Sequence, residues 1–332
     1  METVSGASNW KLVLRRGESG VTVLRAGTPD VRAALPERLF GLPVTALGDR
    51  ALAPERQGED ALPPGAEALR IACGPPGEGA AWDNRRLRDL ALPETLETVG
   101  DYALLNCSAL KTLRISDNIA RWGGGVLMNC RQLDALCLTR TGPEQGEALA
   151  WFAGELSREL DVTVYGPGGE ETARLLFPEY TELYEENCPA HHFDYSISGA
   201  GYPYHHCFRQ KRLSLKEYDA LWKDFLGMEH EERAALRLAW RRLLRPMDLG
   251  EAAAAGYRAY LREHAGEALR LLLTEEGGAG LSLLLELTEP DREALSAACA
   301  LAREKGLTAA LAALLEERRR RFPAGLEKSF AL

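Results

Sequence analysis

Histidine and cysteine residues cluster in one segment of the sequence, residues 187–213. Four of the six histidines lie there as two adjacent pairs, and two of the seven cysteines flank them. The segment therefore has the order Cys-x2-His, a spacer, and then His-x-Cys. Thiolate and imidazole are the ligands that zinc prefers in proteins. We expect no cofactor from the sequence, and the alternative is a structural zinc site formed by Cys188, His191, His205 and Cys207.

Aromatic residues in the same segment support a second interpretation. Zinc knuckles usually have short spacings between ligands on both sides, and a His-x-Cys half departs from that pattern. The segment would then be an aromatic docking loop whose histidines only form hydrogen bonds between the two halves of the chain. Tyr202 and Tyr204 are the candidate partner-binding residues of this loop. Both interpretations stay open at the level of sequence.

The usual catalytic motifs are absent from the sequence. Ser198 lacks the glycine two residues earlier that a nucleophile elbow requires, and no glycine-rich run is followed by Lys-Ser/Thr. A Cys188–His205 nucleophile has no identifiable third residue to orient it. We therefore expect a protein without catalytic residues. The alternative is a zinc-stabilised regulator or a metal-dependent enzyme centred on residues 188–207.

Composition narrows the class of protein. The chain has 332 residues, of which 45% are hydrophobic and 27% charged, and this fits about two globular domains. The excess of 49 acidic over 40 basic residues gives a net charge of −9, which disfavours nucleic acid as a partner. The basic run Arg318–Arg321 ends a predicted helix, where cations complement the helix dipole. No apolar run approaches the roughly 18 residues of a membrane span.

The thiol content and the N-terminus indicate a compartment. Seven scattered cysteines, an odd number, favour reduced thiols. Residues 1–6 contain neither a basic region nor an apolar region of a signal peptide. A cytoplasmic location is the resulting expectation.

The sequence between residues 87 and 138 repeats with a period of 23 residues. Apolar, glycine, asparagine and cysteine positions all recur at this spacing, which is typical of a solenoid. The matched sets are Leu87/Leu110/Leu133, Leu90/Leu113/Leu136, Leu92/Ile115/Leu138, Leu96/Ile119, Val99/Trp122, Gly100/Gly123, Ala103/Val126, Asn106/Asn129 and Cys107/Cys130.

Each repeat predicts one coil of the solenoid. The L-x-x-L-x-L segment predicts a short strand whose alternate leucines point to one side. Gly100 and Gly123 suit a turn with positive φ, and the Asn-Cys pairs would close each coil. Cys107 and Cys130 are expected to be small buried residues without a redox role.

The repeat resembles the BspA-type leucine-rich repeat over about residues 10–168. The segment Leu92–Ala103 followed by Asn106-Cys107-Ser108-Ala109-Leu110 carries the resemblance, with an opening coil at 35–51 and a closing strand at 162–167. Ser116 stands where proline is expected, and residues 54–84 interrupt the period with one predicted strand at 68–72. The resemblance implies a right-handed solenoid whose strand-lined face binds other proteins. Asp89, Thr112, Arg114 and Thr139 would lie on that face. Many members of this repeat class are exported surface proteins, which this chain, without a leader, does not resemble.

The period becomes helical after residue 169. Residues 170–186 read as a helix, and residues 169–213 as a link that contains the His/Cys/aromatic loop. Ser214 with Glu217 has the spacing of a capping box and opens a helical domain over 214–332. Its last two helices, 291–305 and 308–321, weakly resemble ankyrin or other α-solenoid hairpins, although the ankyrin signature tetrapeptide is absent. The predicted fold is α+β, with a leucine-rich-repeat solenoid over 1–168 followed by an all-α domain. The sequence identifies no particular partner and fixes no oligomeric state.

Overall fold

The computed structural model of the protein describes residues 2–56, 61–74, 81–142, 146–187 and 192–323. The chain forms two compact units, Met1–Tyr218 and Asp219–Leu332. The first is mainly a β-solenoid and the second is helical, which confirms the predicted α+β class and the order of its two parts. Among the described residues, no helix is both long enough and apolar enough to cross a membrane.

The described strands all belong to the first unit. They are β1 (Glu2–Ser5), β2 (Trp10–Arg16), β3 (Val21–Gly27), β4 (Arg32–Ala34), β5 (Arg38–Leu39), β6 (Leu42–Leu47), β7 (Glu67–Ala72), β8 (Asp89–Ala91), β9 (Thr98–Val99), β10 (Thr112–Ser116), β11 (Arg121–Trp122), β12 (Ala135–Thr139), β13 (Leu160–Tyr165), β14 (Glu171–Phe177), β15 (Thr181–Asn187), β16 (His192–Ser198), β17 (Phe208–Arg209) and β18 (Arg212–Leu213).

The helices divide between the two units. The first unit contains a 3-10 turn (Pro54–Arg56), α1 (Ala148–Glu155) and α2 (Tyr202–His205), and α3 (Leu215–Ala220) spans the boundary. The second unit contains α4 (Trp222–Gly227), α5 (Glu232–Leu244), α6 (Glu251–Glu263), α7 (Ala265–Glu275), α8 (Leu281–Thr288), α9 (Arg292–Glu304) and α10 (Thr308–Arg321).

Two sheets form the sides of the solenoid. One sheet has the order β14-β13-β12-β10-β8-β4, and its strands from β4 to β13 are parallel, one from each of five coils. The other has the order β1-β7-β2-β3-β6-β9-β11. The leucines of the 23-residue period point between the sheets, and Leu90, Leu113 and Leu136 are at most 1% exposed. Stacking of coils therefore buries the apolar face that one coil would leave in water.

The repeated glycines have a different cause from the one the sequence suggests. Gly100 and Gly123 are not among the residues with positive φ, so the expectation of left-handed turns at these two positions is wrong. A Cβ on Gly123 would lie 2.4 Å from the backbone nitrogen of Asp101, and one on Gly100 would lie 2.6 Å from the carbonyl carbon of Gly48. Glycine is required because consecutive coils approach each other closely there.

The Asn-Cys pairs close the coils as expected. Asn106 and Asn129 adopt φ of 61° and 62°, a conformation that asparagine tolerates. The Asn129 side chain donates to the Oδ1 atom of Asn106 at 2.7 Å. Cys107 and Cys130 are buried, and their Sγ atoms contact the carbonyls of Leu52 and Leu104 in the preceding coil. Burial raises the pKa of Cys107 well above its usual range and that of Cys130 to about 12, which keeps both as thiols.

The helix predicted over 170–186 is wrong. This segment forms β14, which pairs antiparallel with β13 and ends the sheet, and then β15, which pairs with β16 in a separate hairpin. The outer edge of β14 is partly satisfied by a side chain. The Tyr218 hydroxyl accepts from the backbone N–H of Leu176 at 3.1 Å and donates to its carbonyl at 2.5 Å. The predicted link at 169–213 thus belongs to the first unit.

Sequence signals place the helices of the second unit well. Asp291 caps α9 by accepting from the backbone N–H of Ala294 at 2.8 Å. Gly306, with φ of 68°, ends the helix, and the N–H groups of Gly306 and Leu307 donate to the carbonyls of Arg303 and Ala302. This is the Schellman arrangement, which turns the chain into α10.

One buried ion pair lies in the core of the second unit. The Arg242 guanidinium is fully buried and donates to both carboxylate oxygens of Asp219 at 2.7 and 2.8 Å. The Tyr257 hydroxyl donates to the same carboxylate at 3.0 Å. The network joins the start of this unit to α5 and α6.

Candidate functional site

The outward face of the six-stranded sheet brings together the four surface residues that the sequence singled out. Asp89 and Thr112 are register partners on β8 and β10, and Thr139 on β12 is the partner of Ser116. Arg114 lies two residues after Thr112, so the alternation of the strand places it on the same face. The leucines between these positions are buried, which leaves only one face for the polar residues. We call this surface the sheet face.

The sheet face extends beyond those four residues. Arg32 on β4 pairs in register with Asp89, and its guanidinium lies 2.9 Å from the Asp89 carboxylate. Asp161 on β13 is the register partner of Ala135 on β12, and Arg174 on β14 is the register partner of Thr163 on β13. The register therefore produces two rows: Arg32, Asp89, Thr112, Ala135 and Asp161 in the first, and Ala34, Ala91, Arg114, Cys137, Thr163 and Arg174 in the second.

Sequence reasoning missed Arg32 and Arg174, although a signal exists for one of them. Leu35-Pro36 matches Leu92-Pro93 of the repeat, and this alignment puts Arg32 at the position of Asp89, as the register confirms. Arg174 lay in the segment interpreted as a helix, so no alignment would have placed it on a strand.

Both rows of the sheet face contain charged side chains and small side chains. Arg174 forms a bidentate pair with Glu171, with N–O distances of 2.7 and 2.9 Å. Cys137 lies in the second row between arginines. Its pKa is raised, first by burial and then by Asp161 and Asp89, and Arg114 and Arg174 oppose that shift. A thiol of this kind is a poor nucleophile at neutral pH.

A groove opens where the first strands of the sheet face meet the N-terminal segment. Its volume is about 490 Å³. It is lined by Ser8, Arg32, Ala33, Ala34, Asp89, Leu90, Ala91 and Arg114. The alanines leave room for an incoming side chain, and the flanking charges offer both signs to its polar groups. A second depression, of about 610 Å³, lies on the other sheet and is lined by Pro43, Thr45, Thr95, Glu97, Asn118, Ala120 and Arg121.

The predicted zinc ligands fall partly outside the described residues, because Cys188 and His191 lie there. His205 is 2% exposed, and its two ring nitrogens already contact backbone carbonyls. Nδ1 lies 2.8 Å from the carbonyl oxygen of Ala153, and Nε2 lies 2.9 Å from that of Pro178. Cys207 is buried, with its Sγ 3.0 Å from the carbonyl oxygen of Tyr204. A metal at His205 would have to displace one of these two carbonyls.

The environment of His205 combines burial with aromatic contacts. Phe177 and Tyr180 pack their rings edge-on against the imidazole, with centroids 5.6 and 5.0 Å away. Burial lowers the pKa of His205, although the carbonyls of Ala153 and Pro178 oppose the shift. The two contacts of the His205 ring with backbone carbonyls thus connect the C-terminal part of α1 with the residue that follows β14.

The two candidate tyrosines of the loop have different surroundings. Tyr202 is half-buried and stacks on the ring of His206 at a centroid distance of 4.0 Å. Tyr204 is fully buried and packs edge-on against Tyr218 at 4.8 Å. Tyr204 therefore belongs to the core of the first unit and not to a surface that meets a partner.

The remaining chemistry-bearing groups are few in the described part of the chain. The nucleophile pair Cys188–His205 includes a residue outside that part, and Ser198 ends a strand of the hairpin. Within the described ranges, a single set of His and acidic residues has donor atoms within 4.8 Å of one another, namely Glu232, His264 and Glu267. This set lies on the surface of the second unit, away from the predicted ligands in the sequence.

Comparison with known proteins gives limited likenesses. No protein-family model and no curated protein matches the chain. A leucine rich cell surface protein from Faecalibacterium prausnitzii A2-165 is 18% identical over 45% of this chain and 34% of its own, with a TM-score of 0.26. The T. pallidum leucine rich repeat protein is 16% identical over 36% of this chain and 64% of its own, with a TM-score of 0.18. This chain thus spans about a third of the first protein and less than two thirds of the second.

Proposed function

We propose that the protein is a non-enzymatic interaction scaffold whose sheet face binds a protein partner. The observation that carries this proposal is the strand register. It lines up the outward residues of six adjacent strands into one continuous surface of charged and small residues. A surface of this kind suits a protein partner, because small residues admit protruding side chains and arginine forks recognise carboxylates.

Arg114 is the best candidate for an anchor on the sheet face. It is exposed, and within the described residues its side chain forms neither a hydrogen bond nor an ion pair. Arg32 and Arg174, in contrast, are already paired with Asp89 and Glu171. Arginine, with tryptophan and tyrosine, is one of the residue types that dominate binding energy near the centre of an interface.

The proposal also covers the type of repeat, the packing class of the helical domain and the cellular location. The repeat motif supports a BspA-type, bacterial-type leucine-rich repeat, and the α9–α10 hairpin supports a helical domain of the ankyrin or α-solenoid packing class. Reduced buried thiols at Cys107, Cys130, Cys207 and Cys299 support a cytoplasmic location.

Site-specific photo-crosslinking tests the proposal. A photoreactive residue at position 112, on the sheet face, is compared with one at position 304, an exposed position on α9. We expect a discrete crosslinked protein from position 112 in cells that express the chain, and none from position 304. Equal crosslinking from both positions, or none from 112, would contradict a binding role of the sheet face.

A further inference from the structure

A hairpin formed by β15 and β16 exposes large apolar side chains. Tyr184 and Tyr195 are direct register partners, and their ring centroids lie 4.7 Å apart. They are 73% and 49% exposed, and Ile197 is 38% exposed. Tyr184, Tyr195 and Ile197 lie on one face, because residues opposite each other and two apart in antiparallel strands share a face. On the other face, Leu183 is 49% exposed.

The hairpin has no further strand beside it in the described part of the chain. β15 and β16 pair only with each other, so each presents an outer edge of backbone N–H and C=O groups. Such edges accept an additional strand from another chain. A two-stranded sheet by itself is marginal in water, so a bound strand would also stabilise the hairpin.

The acidic charge of the hairpin region favours a partner that bears positive charge. The sequence from 179 to 208 contains no lysine or arginine, whereas it contains the five acidic residues Glu179, Glu182, Glu185, Glu186 and Asp194. Glu182 interacts with the hydroxyl groups of Tyr180 and Tyr195. Desolvation and this carboxylate raise the pKa of both tyrosines, that of Tyr195 to about 12. Tyr195 therefore stays neutral, and the exposed rings of Tyr184 and Tyr195 are available to a cation, whereas Tyr180 is buried.

We propose that the hairpin is a second interaction surface, which binds an extended segment of a protein partner that bears lysine and arginine residues. The backbone of the segment adds to one open edge, and its cations meet the tyrosine rings and the carboxylates. Nucleic acid and anionic lipid are repelled by the same acidic residues. A second copy of this chain, with a net charge of −9, meets a like charge. The proposal is independent of the sheet face.

Fluorescence anisotropy of a labelled (Arg-Thr)5 peptide with the full chain tests the proposal. We expect saturable binding that weakens about tenfold when Tyr184 and Tyr195 are both changed to serine, since each ring contributes about 0.5–1 kcal/mol to a cation. A Met128→Ser variant removes an apolar side chain that is 50% exposed on the solenoid and should bind like the unchanged protein. An Arg114→Glu variant should also leave peptide binding unchanged, which separates this test from that of the sheet face.

A matched pair of charge variants separates specific binding from general attraction to an acidic protein. Glu182→Gln with Asp194→Asn removes two charges from the hairpin, and Glu286→Gln with Glu304→Gln removes two exposed charges from the second unit. The proposal requires that only the first pair weakens binding. Equal effects of both pairs, or peptide binding that ignores the two tyrosines, would overturn it. So would a dimer in size-exclusion chromatography that the double tyrosine variant dissociates, since a second copy would then occupy the surface.

Discussion

Replacement of Gly123 by alanine is expected to destabilise the solenoid strongly. A methyl group there would lie 2.4 Å from the backbone nitrogen and 2.5 Å from the Oδ1 atom of Asp101, and 2.5 Å from the carbonyl carbon of Gly100. Ordinary contacts of this kind need about 3.5 Å, so the two coils would have to separate by roughly 1 Å. Most of the opposing atoms are backbone, held by the bond from the Gly123 N–H to the Val99 carbonyl at 2.8 Å.

The expected loss is about 3 kcal/mol of unfolding free energy, the upper end of the range for overpacking, because two of the three opposing atoms are backbone atoms that cannot rotate away. Gly124→Ala is the matched control, since no atom lies within 4 Å of a Cβ at that position. Its effect should stay within about 0.5 kcal/mol.

Urea denaturation measures both variants. Near-ultraviolet circular dichroism reports on the solenoid through the stacked pair Trp122 and Trp151, whose ring centroids lie 4.1 Å apart. A Gly123→Ala variant as stable as Gly124→Ala would refute the reasoning that close approach of the coils requires these glycines.

Three further outcomes are expected. Asp219→Ala leaves the buried Arg242 guanidinium without its carboxylate, so the free energy of unfolding measured by urea denaturation should fall by about 3–5 kcal/mol. Arg262→Ala is the control, and it should lower the free energy of unfolding by at most about 1 kcal/mol because its ion pair is half exposed. Burial lowers the pKa of His205 in the folded state, so the unfolded chain binds the proton more tightly and the free energy of unfolding should fall as the pH drops below about 6.5. A His205→Phe variant whose free energy of unfolding depends on pH between 7 and 5 as steeply as that of the unchanged protein would contradict this. His206→Gln is the exposed control. Because both ring nitrogens of His205 already contact carbonyls, elemental mass spectrometry should detect less than about 0.1 zinc per chain, and one zinc that is lost on Cys188→Ser/Cys207→Ser would show that the knuckle exists instead.

The repeat predicts the strands of the solenoid because its period fixes their register. The outward positions of β8, β10 and β12 follow from three leucine positions, and with them the places of Asp89, Thr112, Arg114 and Thr139. Helix-capping residues and glycines that end helices act through neighbouring residues in the sequence. Asp291 and Gly306 therefore locate the two ends of α9 from the sequence alone.

Contacts between distant residues limit prediction elsewhere. Glu171–Phe177 contains alanine, leucine and arginine, which favour a helix, but its pairing with β13 and the Tyr218 hydroxyl makes it a strand. Arg174 therefore could not be placed on the sheet face from sequence. The environment of His205 also could not be predicted from the sequence, because its carbonyl partners lie 52 and 27 residues away along the chain.

The affinity of the partner captured by crosslinking at position 112 tests the binding role of the sheet face most directly. Titration calorimetry compares the unchanged protein with Arg114→Glu, and with Arg262→Glu as a charge-matched control in the second unit. A central interface arginine contributes about 2 kcal/mol, so Arg114→Glu should weaken binding at least about 30-fold and Arg262→Glu should leave it unchanged. Unaltered affinity of the Arg114→Glu variant would contradict the proposal that the sheet face binds the partner.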